Sequence, residues 1–131
     1  MKKFVILLSF LFLFVGCNKQ TQEDTLAGTI WVTNLNNAGE ELLAIEFLSE
    51  TGVKTYRTDS DLRIFENTVM RGTYTKSGDS VTFSLKYWTL TYNADVLSGA
   101  ISGDRMSVKT KYHNRLLDKD IEETYSFVRK K

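Results

Sequence analysis

Hydrophobic and polar residues alternate along most of the chain after Leu26. The alternating segments are short and are separated by Gly, Asn, Asp and Ser, a pattern that predicts β-strands. Eight strands are predicted, over residues 28–34, 42–48, 53–58, 68–75, 80–88, 96–102, 105–112 and 121–130. Residues 59–65 and 114–120 could instead form short helical turns. The part of the chain after Leu26 is therefore predicted to be all-β.

Tight turns connect several of the predicted strands, which favours an antiparallel up-and-down order. Gly78 with Asp79, and Gly103 with Asp104, are turn sequences between two such pairs. A sheet of eight short strands removes its edges most simply by closing on itself. The predicted fold is an eight-stranded antiparallel barrel, and a two-sheet β-sandwich is the alternative.

Alternation also assigns residues to the two faces of the predicted sheet, because side chains on a strand point alternately to opposite sides. The residues expected to face the interior are Ile45, Phe47, Gly72, Tyr74, Val81, Phe83, Leu85, Leu97, Gly99, Ile101, Met106, Val108, Tyr125, Phe127 and Arg129. The opposite faces carry mainly Thr, Ser, Lys and Glu, as a solvated exterior requires.

The first 16 residues have a different pattern, with Lys2 and Lys3 followed by an apolar run from Phe4 to Val15. This run has no polar face and is short for a membrane-spanning helix. A positive start, an apolar stretch and a small residue are typical of a secretory signal. Residues 1–16 are therefore predicted to be a signal peptide.

The end of this signal, Val15-Gly16-Cys17, resembles the lipobox of bacterial lipoproteins, with Phe14 where Leu is usual. The resemblance implies cleavage before Cys17 and lipidation of its thiol, with more than one acyl chain for stable anchoring. Cys17 is the single cysteine of the chain, so no disulfide can form within it. Residues 17–25 would then be the lipidated cysteine and a polar tether. The expected location is the cell envelope, lipid-anchored at the outer membrane on its periplasmic or surface face.

Residues 26–131 form the predicted barrel domain, and several of its short motifs carry a second resemblance. Residues 28–31 (GTIW), 72–74 (GTY), 80–83 (SVTF) and 125–130 (YSFVRK) occur in this order. They resemble the small lipocalin-like lipoproteins of Bacteroidota. Trp31 on the first strand and Arg129 on the last would become antiparallel neighbours when the barrel closes, and we expect a cation–π contact between them of about 1 kcal/mol. The alternative is that Arg129 is a solvated terminal residue.

Charge and composition argue against several classes of function. The chain of 131 residues has a formal net charge of +1 and no basic stripe with interleaved aromatic residues, so nucleic-acid binding is not expected. His113 is the single histidine and lies in a polar segment. One histidine with a lipidated cysteine provides neither a nucleophile with its base nor a zinc site. We therefore expect no catalytic residues, no metal and no cofactor.

Two functions remain open. An eight-stranded barrel can hold one small ligand, and a small hydrophobic molecule is expected in a cup lined by Tyr56, Arg71, Tyr87 and Trp88. The alternative is a protein-interaction or inhibitor module that docks on an envelope assembly. The segment KYWTLTY at 86–92 favours that alternative, because alternation leaves either Tyr87 or Trp88 pointing outward, and exposed aromatic residues often mark interfaces.

Overall fold

The computed structural model describes residues 25–34, 41–88 and 93–131. Within them, eight strands are formed: β1 (Ile30–Thr33), β2 (Leu42–Phe47), β3 (Gly52–Thr58), β4 (Ile64–Ser77), β5 (Ser80–Trp88), β6 (Asn93–Ser102), β7 (Arg105–Asn114) and β8 (Lys119–Arg129). The predicted signal peptide, Cys17 and the tether as far as Asp24 lie outside the described residues. The two predicted helical turns, at 59–65 and 114–120, do not form helices.

The strands make one closed antiparallel barrel in which each strand pairs with the next in the chain. β8 completes the circle by pairing with β1, with Trp31 opposite Arg129 and Val32 opposite Val128. The backbone N–H of Lys130 also donates to the carbonyl of Ile30 at 2.7 Å. The barrel prediction is confirmed, and the sandwich alternative is not formed.

The inside of the barrel follows the predicted alternation most clearly in β5. Val81, Phe83, Leu85 and Tyr87 are buried, while the residues between them are exposed. Burying each large apolar side chain contributes roughly 1.5–3 kcal/mol relative to leaving it in water. The interior cluster therefore supplies the main driving force for closing the sheet. The opposite face of β5 is polar and lies in solvent.

β4 begins at Ile64, four residues before the predicted start. Its pairing with β3 is irregular, since Thr55 faces Met70 whereas Arg57 faces Phe65. The hydroxyl of Thr68 bridges the irregularity: it accepts from the backbone N–H of Arg57 at 2.8 Å and donates to the carbonyl of Phe65 at 2.6 Å. A bulge of this size interrupts the alternation, which is why the sequence pattern suggested a loop here.

β6 also departs from the predicted faces. Ala94 and Val96 are buried, the register against β7 shifts between Val96 and Ser98, and Gly99 is the next buried residue. The interior position in this part of β6 is therefore Val96, and the assignment of Leu97 to the interior was wrong. A one-residue shift reverses the faces of all positions on one side of it.

Gly72 lies beside the point at which β4 changes partner. Residues up to Thr73 pair with β3, and residues from Thr73 onward pair with β5. A Cβ atom at Gly72 would overlap the carbonyl oxygen of Ser84, so the two backbones can approach here only because the residue is glycine. Beyond this crossing, Thr55 of β3 donates directly to the Lys86 carbonyl of β5 at 2.7 Å.

The outer face of β1–β4 carries a second apolar group, which we call the outer cluster. Its buried members Val32, Ala44 and Tyr56 are cross-strand neighbours. The partly buried residues that pack against them are Ile30, Leu42, Leu62, Ile64 and Val69. The part of the barrel wall that carries the outer cluster is thus apolar on both faces.

Candidate functional site

The two ends of the barrel differ in their connections. At the lower end, where β2, β4, β6 and β8 finish, short turns at 48–51, 78–79 and 103–104 join the strands. At the upper end, where β1, β3, β5 and β7 finish, the connections span 34–41, 59–63, 89–92 and 115–118. The connections at 34–41 and 59–63 are longer than any at the lower end. Because binding residues often lie on loops, this directs attention to the upper end.

The lower half of the interior is filled by apolar side chains. Trp31, Phe47 and Phe127 are fully buried, and Phe47 packs edge-on against Tyr74 with ring centroids 4.7 Å apart. The ring of Phe83 lies 6.0 Å from that of Phe47. Side chains packed in this way occupy the space that a deep ligand would need.

The upper half of the interior contains polar side chains, of which Arg57 is the most unusual. Its side chain is 5% exposed, and its Nη2 donates to Oε1 of Glu41 at 2.6 Å. Its Nε is buried and has no hydrogen-bond partner among the residues that the structure describes. An unsatisfied buried donor, above all on a charged group, is costly, so this atom marks a place where an acceptor would be stabilised.

Tyr87 faces the same region from β5. Burial raises the pKa of its phenol above 10, while hydrogen bonds with Thr110 and Tyr125 and the charge of Arg57 act in the opposite direction. The hydroxyl of Tyr125 donates to Oε1 of Glu123 at 2.7 Å. The upper interior therefore offers neutral hydroxyl groups around one buried cation.

A pocket of about 740 Å³ lies at the rim of the upper end, and we call it the rim pocket. It is lined by Trp88, Asn93 and the consecutive residues Tyr112, His113, Asn114, Arg115 and Leu116. His113 is held by Asp120, with Nδ1 and Oδ1 3.0 Å apart, and its Nε2 lies 3.3 Å from Oδ1 of Asp118. The pocket combines one indole face with amide, imidazole and guanidinium groups.

The four residues predicted to line a cup are not brought together. Tyr87 faces the interior, and Trp88 lies at the rim pocket. Tyr56 belongs to the outer cluster, where its hydroxyl donates to Glu46 at 2.9 Å, and burial raises its pKa. Arg71 is exposed on the outer face opposite Lys54. Tyr56 and Arg71 therefore lie on the other side of the barrel wall from Tyr87.

Trp31 and Arg129 are cross-strand partners, as predicted. Their side chains have different partners, however: the indole Nε1 donates to the Thr29 hydroxyl at 3.0 Å, and Nε of the exposed Arg129 donates to the Lys131 carbonyl at 3.2 Å. The predicted stacking of guanidinium on indole is not observed in the described part of the chain. The cation–π contact found there places Lys54 Nζ 5.4 Å from the Tyr56 ring centroid.

Sequence reasoning missed Arg57 and Glu41. The signal for Arg57 was present, because Val53, Thr55 and Arg57 occupy alternate positions of one strand and therefore share its inward face. A charged residue at an inward position is exceptional and could have been selected on that ground. Glu41 lies in the connection before β2 and shows no such pattern.

In residues 25–34, 41–88 and 93–131, no group of three or more His, Cys, Asp or Glu side chains could hold a metal ion. Over the same ranges, no helix is long and apolar enough to cross a membrane. No family model matches the chain, and neither a curated protein nor a solved structure matches it.

Proposed function

We propose that the protein is a lipid-anchored, lipocalin-like envelope lipoprotein that binds a small hydrophobic ligand at the upper end of its barrel, without catalysis. The observation that carries this proposal is the difference between the two halves of the interior. The lower half is filled, whereas the upper half keeps Arg57 buried with an Nε that has no partner in residues 25–34, 41–88 and 93–131. A small, mainly apolar molecule with one hydrogen-bond acceptor fits that environment.

The proposed anchor orients the barrel. The segment before β1 is fixed at the lower end, where Gly28 N–H donates to the Phe47 carbonyl at 2.7 Å and the Thr29 hydroxyl donates to that of Leu26 at 2.7 Å. A tether of eight residues from Cys17 spans at most about 28 Å. Lipid on Cys17 would therefore hold the lower end towards the membrane and leave the upper end facing away from it.

The anchor is tested in cells that process lipoproteins. We expect Cys17→Ser to prevent maturation and to release the protein from the membrane fraction, because no sulfur remains to be acylated. Unchanged processing and membrane association of this variant would contradict the lipoprotein assignment.

Ligand binding is tested with the processed lipoprotein in lipid nanodiscs and 12-bromododecanol, whose bromine quenches tryptophan at short range. The chain has two tryptophans, Trp31 buried near the lower end and Trp88 at the rim pocket. We expect saturable quenching in Trp31→Phe, which keeps the rim reporter, and none in Trp88→Phe. Equal quenching of both variants, or none, would contradict binding at the upper end.

The second candidate is docking on an envelope protein, and the turn between β7 and β8 favours it. Leu116 is 96% exposed and Leu117 is also exposed, next to the rim pocket. A photocrosslinking residue at position 116 should then give one discrete adduct in living cells. The matched control is position 48 at the lower end, where Leu48 is 41% exposed. Identical patterns from the two positions would argue against docking.

A further inference from the structure

The guanidinium of Arg57 uses only part of the edge with which arginine usually binds a carboxylate. Nη2 and Nε form one such edge, and a carboxylate that binds both makes two parallel hydrogen bonds. Glu41 takes Nη2 alone, at 2.6 Å, while Nε on the same edge has no partner in the described part of the chain. The ion pair is therefore one hydrogen bond short of the geometry that the guanidinium offers.

Glu41 is also less tightly held than its partner. The side chain of Arg57 is 5% exposed, whereas that of Glu41 is 36% exposed. Glu41 precedes β2 and is not part of a strand. Its carboxylate is already partly hydrated and can turn further into water, while the arginine cannot leave the interior.

Among the described residues, no second carboxylate contacts the Arg57 side chain. Glu123, whose charge acts on Tyr87, accepts the hydroxyl of Tyr125. Tyr87 and Thr110 contribute neutral hydroxyl groups, and Thr68 bonds to the backbone of Arg57 rather than to its side chain. Once Glu41 moves away, a buried cation with two free donors on one edge would remain, and such a group strongly favours an anion.

We propose that the upper end of the barrel binds a ligand carboxylate, which takes both Nε and Nη2 of Arg57 and displaces Glu41. When no ligand is bound, Glu41 pairs with Nη2 of Arg57. This inference rests on the proposed function and adds the acidic group of the ligand to it. Because the lower interior is filled, the rest of the ligand extends towards the rim of the upper end.

A long-chain fatty acid and a compact aromatic acid both carry such a carboxylate, and the experiment distinguishes between them. The probes are dodecanoate and benzoate, with dodecanol as the neutral match for the first. The readout is the ¹H–¹⁵N signal of Arg57 Nε in the ¹⁵N-labelled processed lipoprotein in nanodiscs, assigned through its loss in Arg57→Lys. Titration gives an affinity for each probe at the atom concerned.

We expect a carboxylate to shift this signal downfield and to bind Glu41→Gln at least fivefold more tightly than the unaltered chain, since glutamine competes less well for the cation. Glu46→Gln is the control, because Glu46 lies on the outer face and contacts Lys54 and Tyr56. Dodecanoate alone shifting the signal would assign a fatty acid, and benzoate alone a compact acid.

Equal affinity in Glu41→Gln and the unaltered chain, or an Nε signal that no carboxylate shifts, would overturn the inference. Dodecanol identifies which proposal has failed. If it shifts other upper-end signals while the carboxylates leave Nε unchanged, ligand binding stands and the carboxylate site falls. If none of the three probes shifts any upper-end signal, both proposals fall.

Discussion

The lower and upper halves of the barrel interior are built from the same eight strands but differ in chemistry. The lower half holds Trp31, Phe47, Phe83 and Phe127 in one apolar cluster and is closed by short turns. The upper half holds a buried cation and hydroxyl groups beside the buried Leu43 and Ala94. The first arrangement favours folding through the removal of apolar surface from water, whereas the second imposes a desolvation cost.

This difference separates the part of the molecule that stabilises the fold from the part available for function. A protein retains an incompletely satisfied buried charge more often at a functional site than in a packing core. Substitutions in the two halves should therefore have different consequences. Those in the lower half should reduce stability, and those in the upper half should reduce ligand binding.

The largest expected effect comes from removing a lower aromatic ring. Phe47→Ala should reduce the free energy of unfolding by about 3–5 kcal/mol, because it leaves a cavity among Tyr74 and Phe83. The matched upper variant, Arg57→Met, should change it by less than about 1 kcal/mol, since methionine needs no hydrogen bonds and Glu41 can turn into water. Urea unfolding measures both values. If Arg57→Met reduced the free energy of unfolding as much as Phe47→Ala, the upper half would contribute to stability as the packed lower half does.

A smaller effect is expected at the glycine where β4 changes partner. Gly72→Ala forces a methyl group into the Ser84 carbonyl and should cost about 1–3 kcal/mol by overpacking. Gly99→Ala is the control, because its methyl group would meet the flexible Met106 side chain, with Sδ at 2.9 Å, and that side chain can shift. We expect a clearly lower midpoint of thermal unfolding for Gly72→Ala. Equal midpoints would show that the backbone crossing can relax.

The smallest effect is expected at alkaline pH. Burial raises the pKa of Tyr74 in the lower half and of Tyr87 in the upper half. The unfolded chain then ionises first, so the stability that these phenols support is complete below about pH 10 and declines as the pH rises through their folded pKa values. Between pH 8 and 11, the free energy of unfolding should fall less steeply with pH in Tyr74→Phe and in Tyr87→Phe than in the unaltered chain. If the free energy of unfolding depends on pH equally in both variants and in the unaltered chain, folding does not raise the pKa of either phenol.

Much of the fold could be predicted because its information is local. Strand β5 was predicted with the correct bounds, and the turns at Gly78 and Gly103 fell where expected, since alternation and turn residues act over a few positions. The faces failed at Leu97 because a register shift against a neighbouring strand is not visible in the strand itself. The start of β4 failed for the same reason, since its bulge is stabilised by Thr68 bonding to another strand.

The candidate site was less predictable. Tyr56 and Arg71 were chosen for their chemistry, yet both lie on the outer face of the barrel. Arg57, the residue between Tyr56 and Thr58, faces the interior. Choosing residues by type alone could not separate adjacent positions of one strand, whereas following the alternation from Val53 would have done so.

By itself, the sequence determined the number and order of the strands and the apolar composition of the interior, because these depend on spacing along the chain. Tertiary structure alone decided the pairing of Arg57 with Glu41, the crossing at Gly72 and the separation of a packed lower half from a polar upper half. Each of these depends on which strands become neighbours when the sheet closes. A cation buried by that closure can be satisfied only by groups that the closed barrel, or a ligand, brings to it.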